Sequence, residues 1–290
     1  MSLLQKLTVG KTPSPPRVCL YGDPGVGKSS FAATAPRPIV LALEDGLDQI
    51  DCAKTPHIKD FATLIAYLKE IRDEQHEFQT VVIDSLSALQ NIVADGVCAA
   101  AGAKFLTAAY GGYNRGNDAA LAQFRRDVYT LLDEIRRKRN MCIIQIAHSH
   151  DETVKYTDGT TDRRTAPRLI AAIRDFVVEW NDIVAYAKIR TMEDASGGKI
   201  VIGKNGRERE LYCVGDTRLL AKNRYGIPAG PMPCDRCGRI MRPGDAAVQR
   251  TYPTRTYVTH IVCPGRTWKR GRSNPTGVQQ PQSTKQQEKE

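Results

Sequence analysis

The sequence predicts an α/β fold built around a mainly parallel β-sheet. Two observations support this prediction: the chain contains short apolar runs, and helical patterns stand between them. Short apolar runs, typical of buried strands, alternate with helical patterns from residue 17 to about residue 190. Alternation of this kind indicates βαβ units, which place successive strands parallel in one sheet. The predicted core strands span residues 17–22, 38–43, 80–84 and 141–147, and a closing set of strands spans 182–189, 199–203 and 209–214.

Two segments between these strands predict amphipathic helices, because their apolar residues recur at intervals of three and four. One face of the first helix carries Phe61, Leu64, Ile65, Leu68 and Ile71. One face of the second, with Asn117 as its expected N-cap, carries Leu121, Phe124, Val128, Leu131, Leu132 and Ile135. Segments 102–116 and 151–168 show neither pattern, and we expect them to be long loops.

Length and charge limit the classes of protein to which the chain can belong. At 290 residues it is long enough for one α/β domain and a smaller module. No apolar run approaches the roughly 18 residues that a membrane helix requires, and no signal peptide is recognisable, so we expect a cytoplasmic protein with no membrane partner. Residues 227–290 hold 11 Lys and Arg against 4 Asp and Glu, which favours a polyanionic partner or else a solubilising tail.

The segment "GDPGVGKS", at 22–29, fits the phosphate-loop pattern G-x-x-x-x-G-K-[ST] and stands between a predicted strand and a predicted helix. Glycines at these positions let successive backbone N–H groups turn towards phosphates. Lys28 is placed to bridge the β- and γ-phosphates of ATP, and the Ser29 hydroxyl to bind Mg²⁺. The predicted nucleotide-binding residues are Gly22, Asp23, Pro24, Gly25, Val26, Gly27, Lys28, Ser29, Ser30 and Asp84.

Polar residues that follow the other core strands complete this predicted site. Asp84 ends the apolar run "TVVID" and can orient the Mg²⁺ ligands. Glu44 follows the second strand and can polarise a water for in-line attack, although Asp45 competes for this role and a solvated turn residue is the alternative. His148 follows the fourth strand, where it can contact the γ-phosphate or simply cap a loop.

Five segments in this order, "GDPGVGKS", "LEDGLD", "VVIDS", "QIAH" and "AKNRYG", resemble the RecA-like P-loop ATPase core over roughly residues 16–228. With "YGGYNRG" they look more narrowly like the phage-encoded nucleotide-binding proteins of the single-strand-annealing recombinase type. For a phage protein, the expected location becomes the cytoplasm of the bacterial host. The resemblance implies that Glu44 activates water and that His148 replaces the glutamine found at this position in RecA.

The same resemblance implies assembly into rings or filaments with ATP at the subunit interface. "AKNRYG" is similar to the K-N-R-F-G motif of the RadA relatives, which reaches into a neighbour's site, and Lys222 and Arg224 match its two cations. Cations supplied in this way neutralise charge on the transferring phosphoryl group. The alternative is a pair of surface cations at the end of a strand.

Single-stranded DNA is the expected partner of the ATPase core. Loops that follow the sensor strands hold DNA in RecA-like assemblies. The resemblance therefore implies that segment 151–168 contacts DNA. Its candidate residues are Lys155, Tyr156, Arg163, Arg164 and Arg168. The Gly- and Tyr-rich segment 102–116 is a second candidate, through Tyr110, Tyr113 and Arg115.

The basic C-terminal region carries a predicted zinc site. Cys234-x₂-Cys237 is followed after 22 residues by His260-x₂-Cys263, a spacing that matches a tetrahedral Cys₃His site for Zn²⁺. Neighbouring arginines favour contact with nucleic acid, with a structural or partner-docking ribbon as the alternative.

Together these patterns divide the chain into an N-terminal arm (1–15), a RecA-like ATPase domain (16–228), a zinc ribbon (229–266) and a disordered basic tail (267–290). The expected function is that of an ATP-dependent, single-stranded-DNA-binding recombination or annealing protein. An ATP-switched adaptor that recruits replication proteins and a small-molecule kinase remain alternatives. The patterns do not distinguish a ring from a filament, annealing from strand exchange, or DNA from RNA.

Overall fold

Strands and helices alternate along the chain in the computed structural model, which describes residues 7, 9–10, 12–189, 191–193, 199–201, 209–227, 247–252 and 255–260. The strands are β1 (Arg17–Gly22), β2 (Pro38–Ala42), β3 (Ala53–Lys54), β4 (Thr80–Asp84), β5 (Cys142–Lys155), β6 (Thr161–Pro167), β7 (Ile183–Ile189), β8 (Thr191–Glu193), β9 (Lys199–Val201), β10 (Arg209–Tyr212), β11 (Lys222–Asn223), β12 (Ala247–Tyr252) and β13 (Arg255–His260). The α-helices are α1 (Lys28–Ala32), α2 (Phe61–Asp73), α3 (Leu86–Ala101), α4 (Arg115–Gln123), α5 (Thr130–Arg139) and α6 (Ala171–Trp180).

The main sheet has the order β10-β7-β1-β5-β4-β2-β3. Strands β7, β1, β5, β4, β2 and β3 pair in parallel, whereas β10 and β11 pair antiparallel with β7. The predicted α/β fold with a mainly parallel sheet is therefore confirmed. The predicted strand 199–203 differs from expectation, because β9 pairs with β8 in a separate two-stranded sheet.

Both faces of the central strands are buried, which explains why these strands are largely apolar. On one face, Val81, Ile83 and Ile143 belong to the large core that the longer helices cover. On the opposite face, Val82 and Ile144 pack in a second cluster with residues that include Ala32 of α1. Alternate residues of one strand thus serve two different cores, as the pleat requires.

Parallel pairing brings the carboxyl ends of four strands to one edge of the sheet. Gly22 at the end of β1 is in register with His148 of β5, and Asp84 at the end of β4 is in register with Ala42 of β2. Polar residues at or just beyond these positions therefore lie close together, where ligands bind in open α/β sheets.

Segment 151–168 is not the long loop that its polar composition predicts. Strand β5 continues past the core to Lys155, turns, and pairs antiparallel with β6 to form a hairpin. Cross-strand backbone hydrogen bonds and the Glu152–Arg164 ion pair hold the two strands together. The sequence does not predict the paired parts of these strands, because apolar and polar residues do not alternate along them. We call residues 148–168 the β5–β6 hairpin below.

Segment 102–116 also differs from the predicted loop. A 3₁₀-helical segment spans Leu106–Gly111, and α4 begins at Arg115. The predicted N-cap, Asn117, instead lies inside α4, and Asn114 occupies the N-cap position. The second predicted helix is observed as α4 and α5 joined by a π-helical stretch at Phe124–Tyr129.

Several expectations fall beyond the described part of the chain. These are most of the zinc module and the basic tail at 267–290. Within the described residues, no helix has the length and apolar character needed to cross a membrane.

Candidate active site

The predicted phosphate loop is a tight turn between β1 and α1. Gly25 and Gly27 have φ angles of 76° and 91°, in the left-handed region that glycine adopts without strain. A Cβ on Gly22 would stand 2.4 Å from the carbonyl oxygen of Ala187 on β7, so no larger residue fits there. Asp23, Pro24 and Val26 lie in the same turn, and Lys28, Ser29 and Ser30 begin α1. Three of the loop's glycines are therefore required by the backbone.

Lys28 points into this loop. Its side chain is buried, and its Nζ donates hydrogen bonds to the carbonyl oxygens of Gly22 at 2.9 Å and Asp23 at 3.0 Å. Burial lowers the pKa of Lys28, while the carboxylates of Asp84 and Glu44 oppose this shift. The ammonium group is therefore held by the loop and faced by two acidic side chains.

Asp84 and Ser29 form the second part of the site. Asp84 is buried, with 6% of its surface exposed, and the Ser29 hydroxyl donates a hydrogen bond to its carboxylate. Burial raises the pKa of Asp84, and Glu44 adds to this effect, whereas Ser29 and Lys28 lower it. A hydroxyl and a carboxylate are the oxygen ligands that Mg²⁺ prefers, so the pair fits the predicted Mg²⁺ site.

Glu44 lies beside this pair and is held by two side chains. The Ser85 hydroxyl donates to its carboxylate at 2.5 Å, and the Nε2 of His148 lies 3.1 Å from each carboxylate oxygen. Asp45, by contrast, is exposed and pairs with Nδ1 of His57 at 2.8 Å. Of the two acidic candidates, the structure brings Glu44 and not Asp45 towards Lys28 and Asp84.

His148 connects Glu44 to the β5–β6 hairpin. An ionised carboxylate only accepts hydrogen bonds, so Nε2 of His148 must carry the proton in its bond to Glu44. The backbone N–H of His148 donates to the Ser87 hydroxyl, which donates to the carbonyl of Arg168. The backbone N–H of Arg168 in turn donates to the carbonyl of His148. The predicted sensor is thus bonded to the base of the hairpin.

Three side chains at the site were not predicted from the sequence. Ser85 directly follows Asp84, so its adjacency to that residue was the one available signal. Ser149 donates a hydrogen bond to the Asp23 carboxylate. Arg209 donates from Nε to the carbonyl of Val26 at 2.5 Å, and because 183 positions separate these two residues, no local pattern reveals their contact.

Lys222 and Arg224 lie far from the phosphate loop of their own chain. Lys222 is in register with Val184, near the start of β7, whereas Gly22 is in register with Ala187 near its end. Lys222 Nζ donates to the last carbonyls of α6, those of Val178 at 2.8 Å and Glu179 at 2.7 Å.

Arg224 pairs with Asp182 at 3.1 Å, and its side chain is about half exposed, at 51%. Both cations therefore have partners within their own chain. These bonds fit the alternative of a pair of cations at the end of a strand, and the role of Lys222 and Arg224 in a neighbour's site stays a prediction.

The predicted zinc ligands Cys234, Cys237 and Cys263 lie outside the described residues, and of His260 only its position at the end of β13 is described. Within the described part of the chain, no group of three or more His, Cys, Asp or Glu residues stands close enough together to hold a metal ion.

Comparisons with known proteins identify one family whose model covers most of the chain. The crystal structure of the RadB recombinase is similar at 12% sequence identity and a TM-score of 0.40, over 75% of this chain and 85% of that one. No curated protein matches the sequence. The family described as "AAA domain" matches residues 14–225, which include the phosphate loop, Glu44, Asp84 and His148. The chain therefore belongs to the AAA domain family of P-loop ATPases.

Proposed function

We propose that the chain hydrolyses ATP, binds single-stranded DNA and assembles through its ATPase core as a recombination or annealing protein. The observation that carries the hydrolytic part is one constellation. Lys28 in the phosphate loop, the Ser29–Asp84 pair and the Glu44–His148 pair meet at one edge of the sheet. Each of these groups supplies a different requirement of phosphoryl transfer.

In this proposal, the loop N–H groups and Lys28 hold the β- and γ-phosphates of ATP. Ser29 and Asp84 would hold Mg²⁺, which would neutralise charge on the phosphate oxygens. Glu44 orients a water and accepts its proton as the water oxygen bonds to the γ-phosphorus. The bond to the bridging oxygen then breaks, and ADP and phosphate leave.

The Glu44–His148 bond supports a second element of the proposal, a link between hydrolysis and DNA. His148 donates to Glu44 at one end and is bonded through its backbone to Arg168, at the base of the β5–β6 hairpin. A change of partner by the imidazole, from Glu44 to a γ-phosphate oxygen, would release the carboxylate and shift the hairpin. Hydrolysis would reverse the exchange.

The exposed face of the β5–β6 hairpin is the proposed DNA contact. Lys155 and Arg163 lie on exposed positions of the paired strands, and Tyr156 at the turn is 37% exposed. Such cations can follow phosphates while an aromatic ring stacks on a base. Arg164, in contrast, is paired with Glu152 at 2.7 Å, which makes it the less available of the candidate cations.

The segment between α3 and α4 offers a second aromatic surface. Tyr113 is 93% exposed and Tyr110 is 46% exposed, and every residue from 110 to 114 has a positive φ angle. Non-glycine residues in this conformation are strained and cluster at functional sites. We propose that this segment contributes base stacking alongside the hairpin.

Assembly would place Arg224, and with it Lys222, in the ATP site of a neighbouring subunit. The exposure of Arg224 makes it the more available cation, because Lys222 must first give up its bonds to α6. Zinc binding by Cys234, Cys237, His260 and Cys263 belongs to the same proposal as an appended module.

Nucleotide-dependent DNA binding tests the proposal. The affinity for a fluorescent single-stranded oligonucleotide is measured by anisotropy with ATP, with ADP and without nucleotide, and a double-stranded oligonucleotide and an RNA of the same sequence serve as competitors. We expect ATP to strengthen binding to the single strand and ADP to weaken it. Equal affinity in all three nucleotide states would contradict the proposal.

A further inference from the structure

Arg209 reaches the phosphate loop from an edge strand of the sheet, β10, which only β7 separates from β1. It begins the edge strand β10, where it is in register with Ile189 of β7. Its Nε donates to the carbonyl oxygen of Val26 at 2.5 Å. The phosphate loop, near the start of the domain, is therefore contacted by a cation from a strand near the end of the domain.

The guanidinium group also lies flat against Gly27. A Cβ built on Gly27 would stand 3.1 Å from Nε, 3.3 Å from Cζ and 3.4 Å from one terminal nitrogen of Arg209. Because these three distances are similar, the plane of the guanidinium faces the glycine and does not point at it edge-on. Arg209 thus covers the peptide that joins Val26 to Gly27.

The hydrogen bond from Arg209 to the Val26 carbonyl also fixes the phosphate-facing side of the loop. A trans peptide is planar, so the carbonyl of Val26 and the N–H of Gly27 point in opposite directions. A donor fixed on the carbonyl therefore fixes the N–H on the other side. Gly27 has a φ angle of 91°, and glycine adopts a wider range of φ angles than any residue with a side chain. The Val26–Gly27 peptide plane can therefore rotate when the donor is removed.

We propose that Arg209 is a positioning residue of the phosphate loop, which holds the Val26–Gly27 peptide with its N–H turned towards the polyphosphate of a nucleoside di- or triphosphate. The role rests on the proposed ATP-binding function and deepens it. Arg209 acts within its own chain, in contrast to the proposed role of Arg224 in a neighbour's site.

The role predicts a particular kinetic signature. The loop N–H groups contact phosphates in the ground state and in the transition state alike, so their misplacement weakens both complexes equally. Such a change raises KM and leaves kcat close to its original value. It also affects ATP and ADP by the same factor, whereas loss of a contact to the γ-phosphate affects only ATP.

The test compares Arg209→Ala and Arg209→Lys with the wild-type chain and with Arg126→Ala, which removes an exposed arginine far along the chain from the loop. Dissociation constants for fluorescent ATP and ADP, inorganic tripolyphosphate competition, kcat, KM and thermal unfolding midpoints are measured for each. We expect Arg209→Ala to weaken ATP and ADP binding alike, by about tenfold, the value of one hydrogen bond from a charged donor.

The lysine variant keeps the charge but lacks the planar fork, so we expect it to recover only part of the affinity. Nucleotide affinities of both variants equal to wild type would overturn the role of Arg209 while leaving the proposed function intact. Loss of affinity in Arg209→Ala with full recovery in Arg209→Lys would still support the role, because the lysine ammonium can also donate to the Val26 carbonyl. A wild-type chain that binds no nucleotide would instead overturn the proposed function, and the role of Arg209 with it.

Discussion

The imidazole Nε2 of His148 lies 3.1 Å from both carboxylate oxygens of Glu44. His148 lies in β5 and Glu44 follows β2, and Ser85 after β4 donates to the same carboxylate. The proposed water-activating group is therefore held by the ends of two neighbouring strands. Changes in either strand end are expected to alter the position of Glu44.

Glu44→Gln should abolish ATP turnover while ATP binding is kept. The amide cannot accept a proton from water, and loss of a general base reduces rates by about 10²- to 10⁴-fold. Steady-state phosphate release and nucleotide affinity measure the two effects. Asp45→Asn is the matched control, because Asp45 is exposed and pairs with His57 away from the site. Equal loss of activity in both variants would contradict the assignment of Glu44.

His148→Ala should reduce turnover less than Glu44→Gln, by about five- to tenfold, since it removes one hydrogen bond that positions the carboxylate. It should also uncouple hydrolysis from DNA, so that single-stranded DNA no longer changes the rate. His150→Ala is the control, because His150 lies on the same strand and its Nδ1 bonds to the backbone of Ala166. A DNA response kept by His148→Ala would exclude the proposed link.

Arg224→Ala should leave ATP affinity unchanged and reduce turnover, because the cation is proposed to act in a neighbour's site. Mixing this variant with Lys28→Ala subunits should restore part of the activity, since some interfaces then combine an intact loop with an intact Arg224. Lys222→Ala is expected to behave similarly but also to lower the unfolding midpoint, because Lys222 bonds the end of α6. Normal hydrolysis by both single variants would contradict a role in a neighbour's ATP site. The two cations would then serve only the structure of their own chain.

Stability should fall at acidic pH through Asp182. Burial raises the pKa of this carboxyl, but hydrogen bonds from the side chain and backbone of Arg17, with the charges of Arg17 and Arg136, more than offset burial and lower the pKa. A lowered pKa in the folded state stabilises the fold fully above the unfolded value, about 3.9, and this contribution disappears as the pH falls through the folded value.

Urea denaturation of the wild-type chain and Asp182→Asn at several pH values measures this contribution. The difference in free energy of unfolding between the two chains should be largest near neutral pH and shrink below about pH 4. A difference that does not change with pH would show that the charge of Asp182 is not what stabilises the fold.

The cysteine-rich region should bind one zinc ion per chain. Metal analysis of the purified full-length protein, before and after dialysis against a chelator, measures the content. Cys237→Ser should lose the metal, whereas Cys98→Ser, at a cysteine in α3, should keep it. Zinc-free wild-type protein after purification with added zinc would contradict the Cys₃His assignment.

Much of the fold and part of the site follow from local patterns. The apolar strands predict the parallel sheet, because strands of a parallel sheet are buried on both faces and are therefore nearly continuous apolar runs. The phosphate loop is one continuous segment, Asp84 ends a predicted strand, and Glu44 and His148 each follow one. Their proximity follows from parallel pairing, which brings strand ends to one edge.

The features that the sequence patterns did not predict depend on contacts between residues that are far apart in the chain or on different strands. The β5–β6 hairpin is polar on both faces, so its order comes from cross-strand bonds that no periodicity records. The contact of Arg209 with Val26 depends on the placement of an edge strand. The bonds of Lys222 to α6 likewise require the positions of β11 and α6, which the sequence alone does not supply.

The most direct test of the account is the rate of ATP hydrolysis with and without single-stranded DNA, for the wild-type chain and for Glu44→Gln. We expect a basal rate in the wild-type chain that single-stranded DNA increases, and no hydrolysis by Glu44→Gln in either condition. A wild-type rate that does not respond to DNA, together with no binding of DNA in any nucleotide state, would contradict the central claim.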